Sequence, residues 1–295
     1  MNDDVYLFDK NTGLVATGYR VFSDEQWEKR TQYWEMQNEI KQYNSELGGF
    51  IFLLYEDSKT FTEITPQTVA RLVYLATFLP YGDNVLQSSR NTVMTKELMR
   101  THLGLQIDTF NRFFDEATTH GYLKETDKGI VLCDGYFRKG KIQNIERLKR
   151  TKVYIKSIRA LYQNTPPSKH RYLGYLFMLL PFVNLEWNVL CRNPEERDIK
   201  QITPITIGDF CDYIGYKRTN AKRLIQSFRS IVFRTESGYF QRVCSFVYES
   251  DMSSMMIFCN PRIFYAGSDY RQVEAFGLFF RDCDINGTLI RDEDR

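Results

Sequence analysis

Two divergent copies of one sequence pattern make up most of the chain, and this repeat constrains the fold more than any other feature. Each copy opens with an apolar helical pattern that ends at a proline, Pro80 in the first copy and Pro181 in the second. A segment led by threonine follows, then a glycine and a second helical pattern. The copies close with the short strands Leu132-Cys133 and Phe258-Cys259, which we align with each other. Because these features recur in the same order, we expect one structural unit to occur twice.

Copy one, from Thr95 to Leu132, has the pattern of a helix, a tight turn, a helix and a β-hairpin. Thr95 is a favourable N-cap, and Gly104 stands where a short turn between helices needs a residue without a Cβ atom. Gly121 ends the second helix, and residues 125–129 have the composition of a hairpin loop. Copy two repeats this order, so each copy is predicted to be a winged helix-turn-helix. Helical hairpins also occur in inert cores and in protein-binding domains, and that alternative stays open, above all for copy one.

The second helix of copy two carries the charge that a DNA-recognition helix needs. Residues 213–235 include six basic side chains and no acidic one, and such a helix can enter the major groove against the phosphate field. Arg218 is the best candidate for a base contact, because it comes early in the helix and can donate two hydrogen bonds to guanine. Arg229 is expected to bind the DNA backbone. The predicted DNA contacts in copy two are Lys217, Arg218, Thr219, Asn220, Lys222, Arg223, Gln226 and Arg229.

The equivalent helix of copy one is less suited to DNA. Residues 106–120 hold one arginine against three acidic residues. The start of this helix still offers four candidate DNA contacts, which are Gln106, Thr109, Asn111 and Arg112. The same surface can instead bind a protein.

A strongly basic segment joins the two copies. Residues 138–171 contain eleven basic side chains and one acidic one, which favours a polyanionic partner. Apolar residues recur at helical spacing from Lys141 to Gln163, so we expect one long connector helix. A solvated helix face and a helix lying on a membrane are the alternatives. The predicted backbone contacts on this helix are Lys149, Arg150, Lys152 and Lys156.

The two ends of the chain have their own patterns. Residues 6–8 and 14–16 flank a turn and predict a hairpin, and Ser23 opens a helix that runs to about Tyr43. Residues 50–55 have the pattern of a buried strand, and the last fifteen residues form a loose acidic tail. The expected fold is α+β and mostly α. Its predicted parts are an N-terminal hairpin and helix (1–49), module 1 (50–140), the connector helix (141–167), module 2 (168–270) and the acidic tail (271–295).

Composition excludes several classes of protein. With 43% hydrophobic and 26% charged residues, the chain has the composition of an ordinary globular protein. No uncharged stretch is long enough to span a bilayer, and the first residues lack the pattern of a secretory signal. The three histidines have no ligand spacing, and no nucleotide-binding or metalloprotease motif occurs. We therefore expect a cytoplasmic, non-enzymatic protein with reduced cysteines, without cofactor, metal or membrane contact.

This layout resembles the RepL-like winged-helix replication proteins of plasmids and phages. The resemblance rests on the turn from Asp9 to Val15, on residues 95–132, and on the Asn260-Pro261 loop after the last strand. It implies double-stranded DNA as the ligand and a phage or plasmid as the origin. The two-copy layout is also similar to the tandem winged helices of iteron-binding plasmid initiators. The duplication and the basic segment depart from the single-domain members, and the Asn-Pro loop occurs only in copy two.

Three roles follow from these patterns. A replication initiator and a transcriptional regulator both use the same groove contacts, and the sequence does not separate them. The third role is an interaction protein whose winged helices bind host replication or transcription proteins, which the acidic N-terminal region favours. Self-association as a homodimer stays open.

Overall fold

A computed structural model describes residues 10–13, 23–56, 60–89, 92–142, 149–235, 238–248, 255–267 and 269–281. Contacts along the chain separate two compact units, residues 1–45 and residues 46–295. In the first unit the helix α1 spans Asp24–Glu46. Ser23 and Gln26 form a reciprocal capping box, in which each side-chain oxygen accepts from the other residue's amide at 3.2 Å. The predicted strands at 6–8 and 14–16 lie outside the described residues.

Copy one begins with the predicted buried strand and continues as helix, turn, helix and hairpin. Thr95 accepts a hydrogen bond from the amide of Leu98, and Gly104 adopts the left-handed conformation with φ 64°, as the sequence predicts. The elements are β1 (Phe50–Tyr55), α2 (Pro66–Ala76), β2 (Gln87–Ser89), β3 (Thr92–Val93), α3 (Lys96–Leu103), α4 (Ile107–Thr119), β4 (Leu123–Thr126), β5 (Gly129–Leu132) and β6 (Phe137–Arg138).

Copy two follows a similar order, with an additional helix near its start and additional strands after the helix that ends at Arg229. Its elements are β7 (Lys149–Tyr154), α5 (Ile155–Asn164), α6 (His170–Met178), α7 (Ile207–Tyr213), α8 (Ala221–Arg229), β8 (Val232–Arg234), β9 (Phe240–Arg242), β10 (Cys244–Tyr248), β11 (Met255–Cys259) and β12 (Phe264–Tyr265). Short 3₁₀ helices precede α6 and α8. The predicted α+β class is confirmed, with small antiparallel sheets.

The predicted connector helix is wrong. Lys149–Tyr154 is the strand β7, and only Ile155–Asn164 is helical, while residues 143–148 lie outside the described part. Thr151 and Val153 are buried, and Lys152 between them is half-buried, so this stretch follows the period of a strand. The reason is tertiary, because β1 is a buried strand whose backbone groups need a partner on this side.

The predicted acidic tail is also shorter than expected. Arg271–Glu274 is the helix α9, and Ala275–Phe280 continues it as a 3₁₀ helix. Val273 and Phe280 are fully buried, so apolar burial orders this part of the segment. Residues 282–295 lie outside the described residues.

A four-stranded antiparallel sheet joins the copies, with strand order β12-β7-β1-β6. Each central strand pairs on its outer side with the last strand of its own copy, and the central strands pair with each other. The outer pairs include Leu53–Phe137 and Val153–Phe264, and the central pairs include Ile51–Val153, Phe52–Lys152 and Leu53–Thr151. Leu53 and Val153 hold equivalent positions, because each pairs with the first residue of the last strand of its copy. Exchanging the two copies therefore leaves the central pairs unchanged, with the pair Phe52–Lys152 at the centre. The register therefore has twofold symmetry, as two subunits have in an isologous dimer.

Equivalent hydrogen bonds recur in the two copies. In each, the side-chain amide nitrogen of one asparagine donates to two carbonyls, one on the returning hairpin strand and one on the last strand. These bonds run from Asn84 to Leu132 and Phe137 at 3.0 and 2.8 Å, and from Asn188 to Cys259 and Phe264 at 2.9 and 3.0 Å. Leu132 thus corresponds to Cys259, one residue away from the sequence alignment. These asparagines fix the hairpin against the sheet in both copies.

One hydrophobic core extends through residues of both copies. At its centre α2 packs along α6, and the helices approach so closely that a Cβ atom at Gly174 would overlap the backbone of Pro66. Beside this crossing, the rings of Tyr74 and Tyr162 stack with centroids 4.1 Å apart. The two copies are therefore halves of one packed body.

A buried histidine lies at the start of α6. His170 Nε2 donates to the carbonyls of Thr165 and Tyr162, at distances of 2.8 and 3.1 Å. Its Nδ1 is buried and has no partner among the described residues. Burial lowers the pKa of His170 below its ordinary value, the two carbonyls raise it, and Arg71 lowers it further. The neutral ring is therefore the form that the core accommodates.

We expect Gly174→Ala to lower the free energy of unfolding by about 1–3 kcal/mol, the usual range for an overpacked core. The added methyl group must push α6 away from Pro66. Gly277→Ala is the matched control, because nothing lies within 4 Å of a Cβ atom there. Urea unfolding followed by circular dichroism measures both. Equal stability of the two variants would show that the helices are not in close contact.

We expect His170 to make the protein less stable in acid. The unfolded chain titrates near the ordinary value of 6.5 and the folded chain at a lower pKa, so the unfolded state binds more protons between them. Stability is therefore full above about pH 6.5 and falls as the pH drops through the folded pKa. His170→Gln should flatten this part of the stability–pH curve. The prediction fails if this variant keeps the wild-type slope.

Candidate nucleic-acid interface

The second helix of copy two is presented by a tight turn. Thr206 and Asp209 form a capping box at the start of α7, and Gly215 adopts a left-handed φ of 64° after it. Leu224 and Phe228 then face the core from α8, at 0% and 1% exposure. The hairpin β8–β9 follows directly. The sequence therefore yields a helix, a turn, a helix and a hairpin, with α8 fixed by its apolar side.

The opposite side of α8 faces the solvent. Lys222, Arg223 and Gln226 are exposed, and we call these three residues the exposed face of α8. No carboxylate pairs with them in the part of the chain that the structure describes. Arg229, predicted to bind the backbone, lies at the flank, with its guanidinium 5.2 Å from the ring centre of Phe246. Lys217, Thr219 and Asn220 are exposed in the turn before α8.

Arg218 does not lie on the exposed face of α8. Its guanidinium is paired with Asp212 on α7, with Nε 3.0 Å from the carboxylate, and it lies against Gly208. The hydrogen bonds raise the pKa of Arg218 and lower the pKa of Asp212. The sequence count missed this acid because Asp212 comes one residue before the segment counted. The main candidate for base contact is thus occupied within the protein.

In copy one, the predicted contacts lie at the start of α4. Gln106 is the exposed N-cap residue, Thr109 is half-buried, and Asn111 and Arg112 are exposed. Arg112 Nε donates to the carbonyl of Asp108 at 3.3 Å. The four residues therefore share one end of the helix, as expected.

Glu116 has a structural task in copy one. Its carboxylate accepts from the amide of Thr65 at 2.6 Å and from the hydroxyls of Thr65 and Thr68 at the N-terminus of α2. A negative charge is favourable at that end of a helix. One of the three acids that make α4 unlike a DNA-binding helix is therefore explained by the fold.

The four basic residues of the predicted connector are not on one helix face. Lys149 pairs with Glu195 at 2.8 Å, and Arg150 lies exposed beside the ring of Phe52. Lys152 Nζ donates to the carbonyl of Gly267 at 2.9 Å, and burial, followed by Arg150, lowers its pKa. Lys156 is exposed on α5. Lys149 and Lys152 thus serve the fold, and the prediction that these four residues lie on one helix is wrong.

The hairpin of copy two carries two basic residues that are not among the predicted DNA contacts. Arg234 is exposed at the end of β8, and Arg242 is half-buried at the end of β9. The sequence indicates them by a basic residue in each strand of a hairpin that follows a basic helix.

Neither a known family model, nor a curated protein, nor a solved structure matches the chain. Within the described ranges, no helix has the length and apolar character to cross a bilayer, and no three metal-binding side chains are grouped. Five cysteines in those ranges are free thiols, four of them buried. The function must therefore be argued from the surface described above.

We expect Arg218→Gln to raise the pKa of Asp212 toward its ordinary value of 3.8, because the neutral amide removes the hydrogen bonds that lower it. Carboxyl carbon shifts across a pH titration measure the change. Arg223→Gln is the control and should leave Asp212 unchanged. An Asp212 titration that is the same in both variants would show that the pair does not form in solution.

Proposed function

We propose that this chain is a double-stranded DNA-binding protein of a phage or plasmid with two winged helices and no catalysis of its own. It acts as a replication initiator or a transcriptional regulator. The observation that carries the proposal is the exposed face of α8, where Lys222, Arg223 and Gln226 have no carboxylate partner in the described ranges.

The order of elements supports this assignment. Winged helix-turn-helix proteins place the second helix in the major groove and a hairpin beside it. Here α7, the turn at Gly215, α8 and the hairpin β8–β9 have that order. In copy one α3, α4 and β4–β5 have the same order, while the asparagine bonds align β4–β5 with the later hairpin β10–β11. In this proposal α8 is the recognition helix.

The chemistry of the exposed face of α8 fits a base sequence. Lys222 and Gln226 are one turn apart, so they face the same stretch of a groove. Lysine hydrogen bonds to guanine, and glutamine can donate to and accept from adenine. These two residues replace Arg218 as the proposed base contacts, since Arg218 is paired with Asp212.

The two copies have different roles in this proposal. The symmetric register of the sheet offers within one chain the arrangement that two subunits provide in a dimer. The exposed residues of α4 include Asp108 and Asp115, which the phosphate field repels. We therefore propose that copy two determines the sequence and that copy one makes fewer DNA contacts.

Selection of bound duplexes from a random pool tests the proposal. Enriched sites that recur side by side in natural DNA would favour an initiator, and a single palindrome would favour a dimeric regulator. A pool without enrichment would contradict sequence-specific DNA binding.

We expect Gln226→Ala to weaken binding to the selected duplex by about 1–3 kcal/mol and binding to a scrambled duplex much less. Arg218→Ala should change both little, because its partner is Asp212. Arg112→Ala in copy one is the matched control. Titration at fixed salt measures all three variants. Equal losses on both duplexes for Gln226→Ala would remove this residue from base contact.

A second candidate is an interaction protein that binds host replication or transcription proteins. It is favoured by α1, which exposes Trp27 and Trp34 at 59% and 51% along an acidic sequence. Aromatic residues of this kind are enriched at protein interfaces. Both tryptophans can be changed to serine and DNA binding measured again. If the variant still binds DNA, this role is independent of the first.

A further inference from the structure

A second group of cations lies where α6 begins. Arg171 Nη2 donates to the hydroxyl of Tyr172 at 2.8 Å, and the guanidinium lies 4.8 Å from the centre of that ring. Tyr172 is buried at 5% exposure, and Arg171 is half-buried. Arg171 Nε is buried without a hydrogen-bond partner among the described residues. A guanidinium has five N–H donors, so the Nη hydrogens of Arg171 that do not bond Tyr172 are left for a ligand.

The helix α8 completes the group from the other side. Burial raises the pKa of the Tyr172 hydroxyl, but Ser227 and Arg171 hydrogen bonds and the charge of Arg223 outweigh it, so the pKa is lowered. The ring of Tyr216 packs edge-on against Tyr175 with centroids 5.6 Å apart, and the ring of Tyr175 lies 6.3 Å from that of Tyr172. Burial raises the pKa of Tyr216, and Tyr172, Arg171 and Arg223 also act on it. Lys169 Nζ lies 3.5 Å from the hydroxyl of Ser230, at the end of α8. We call Lys169, Arg171, Tyr172, Tyr216 and Arg223 the arginine–tyrosine cluster.

The charge of this cluster is not balanced. Other arginines of copy two pair with acids on their own side of the fold, as Arg192 does with Asp209 and Arg271 with Asp269. Across the described ranges, no carboxylate forms an ion pair with Lys169, Arg171 or Arg223. The neighbouring side chains Tyr172 and Tyr216 are phenols and supply no carboxylate as a counter-charge. Three cations around two phenols, without an acid, form an environment that favours an oxyanion.

We propose that the arginine–tyrosine cluster is a phosphate-binding site that holds one backbone phosphate of duplex DNA beside α8. The choice of DNA as the source of the phosphate rests on the proposed function. Arg223 belongs to both surfaces, so the cluster adjoins the exposed face of α8. A backbone phosphate held there fixes the position of the helix while Lys222 and Gln226 contact bases.

Phosphate fits this cluster better than a carboxylate or a neutral ligand. The planar fork of an arginine matches the two non-bridging oxygens of a backbone phosphate, and lysine and tyrosine can donate to the remaining lone pairs of the same oxygens. The guanidinium of Arg171 is already held against Tyr172. Phosphate binding therefore costs little side-chain entropy at this residue.

The salt dependence of duplex binding tests the site. Arg171→Gln should weaken binding to selected and scrambled duplexes by the same factor and make the log–log salt slope shallower by about 0.9. Tyr172→Phe keeps the ring and should weaken binding to both duplexes less than Arg171→Gln does. Arg192→Gln is the control, because its guanidinium is neutralised by Asp209, and its slope should equal that of the wild type. An unchanged slope in Arg171→Gln would overturn the proposal.

A titration with inorganic phosphate separates this site from the proposed function. In spectra of ¹⁵N-arginine protein, the Nε–H signal of Arg171, assigned with Arg171→Gln, should shift with phosphate and not with chloride at equal ionic strength. If the wild type binds no duplex but this signal shifts, the proposed function fails and the phosphate site stands. If the wild type binds duplex and neither the signal nor the salt slope responds, the site fails and the proposed function stands.

Discussion

The close crossing of α2 and α6 is the contact on which the rest of residues 46–295 depends. Gly174 leaves room for the backbone of Pro66, and the same two copies meet again where β1 pairs with β7. These contacts use equivalent elements of the repeat, so they place the helix pairs α3–α4 and α7–α8 in related positions. A change at the crossing therefore affects both copies together, unlike a change in a chain of independent domains.

Acidic partners decide which cations are available to a ligand. Arg218, Arg192 and Lys149 are neutralised by carboxylates that come from other segments. Because exposed ion pairs contribute little to stability, their main effect here is to shape the surface potential. Among the described residues, the exposed face of α8 and the arginine–tyrosine cluster next to it keep their charge without an acidic partner, and that contiguity suits a phosphate backbone better than scattered charge does.

Helix caps, turns and the inward side of α8 were predictable from the sequence, because they depend on residues that are close together in the chain. Thr95 and Gly104 cap the two ends of α3, and Ser23 caps the start of α1. Leu224 and Phe228 face inward from α8, as their spacing predicts. Caps and turns depend on residues within one helical turn of each other, so no knowledge of the rest of the chain is needed. The α+β class and the recurrence of one pattern followed from the same kind of information.

Tertiary structure alone decided the state of residues 149–154 and the partner of Arg218. Apolar residues at helical spacing concealed a strand there, since burial of Thr151 and Val153 comes from pairing with β1, about a hundred positions away. Asp212 and Arg218 are close in sequence, yet only the fold of the turn brings their charges together. A sequence thus determines which segments can form helices and hairpins. The tertiary contacts determine which charges are neutralised, because ion pairs depend on distances that only the packed chain defines.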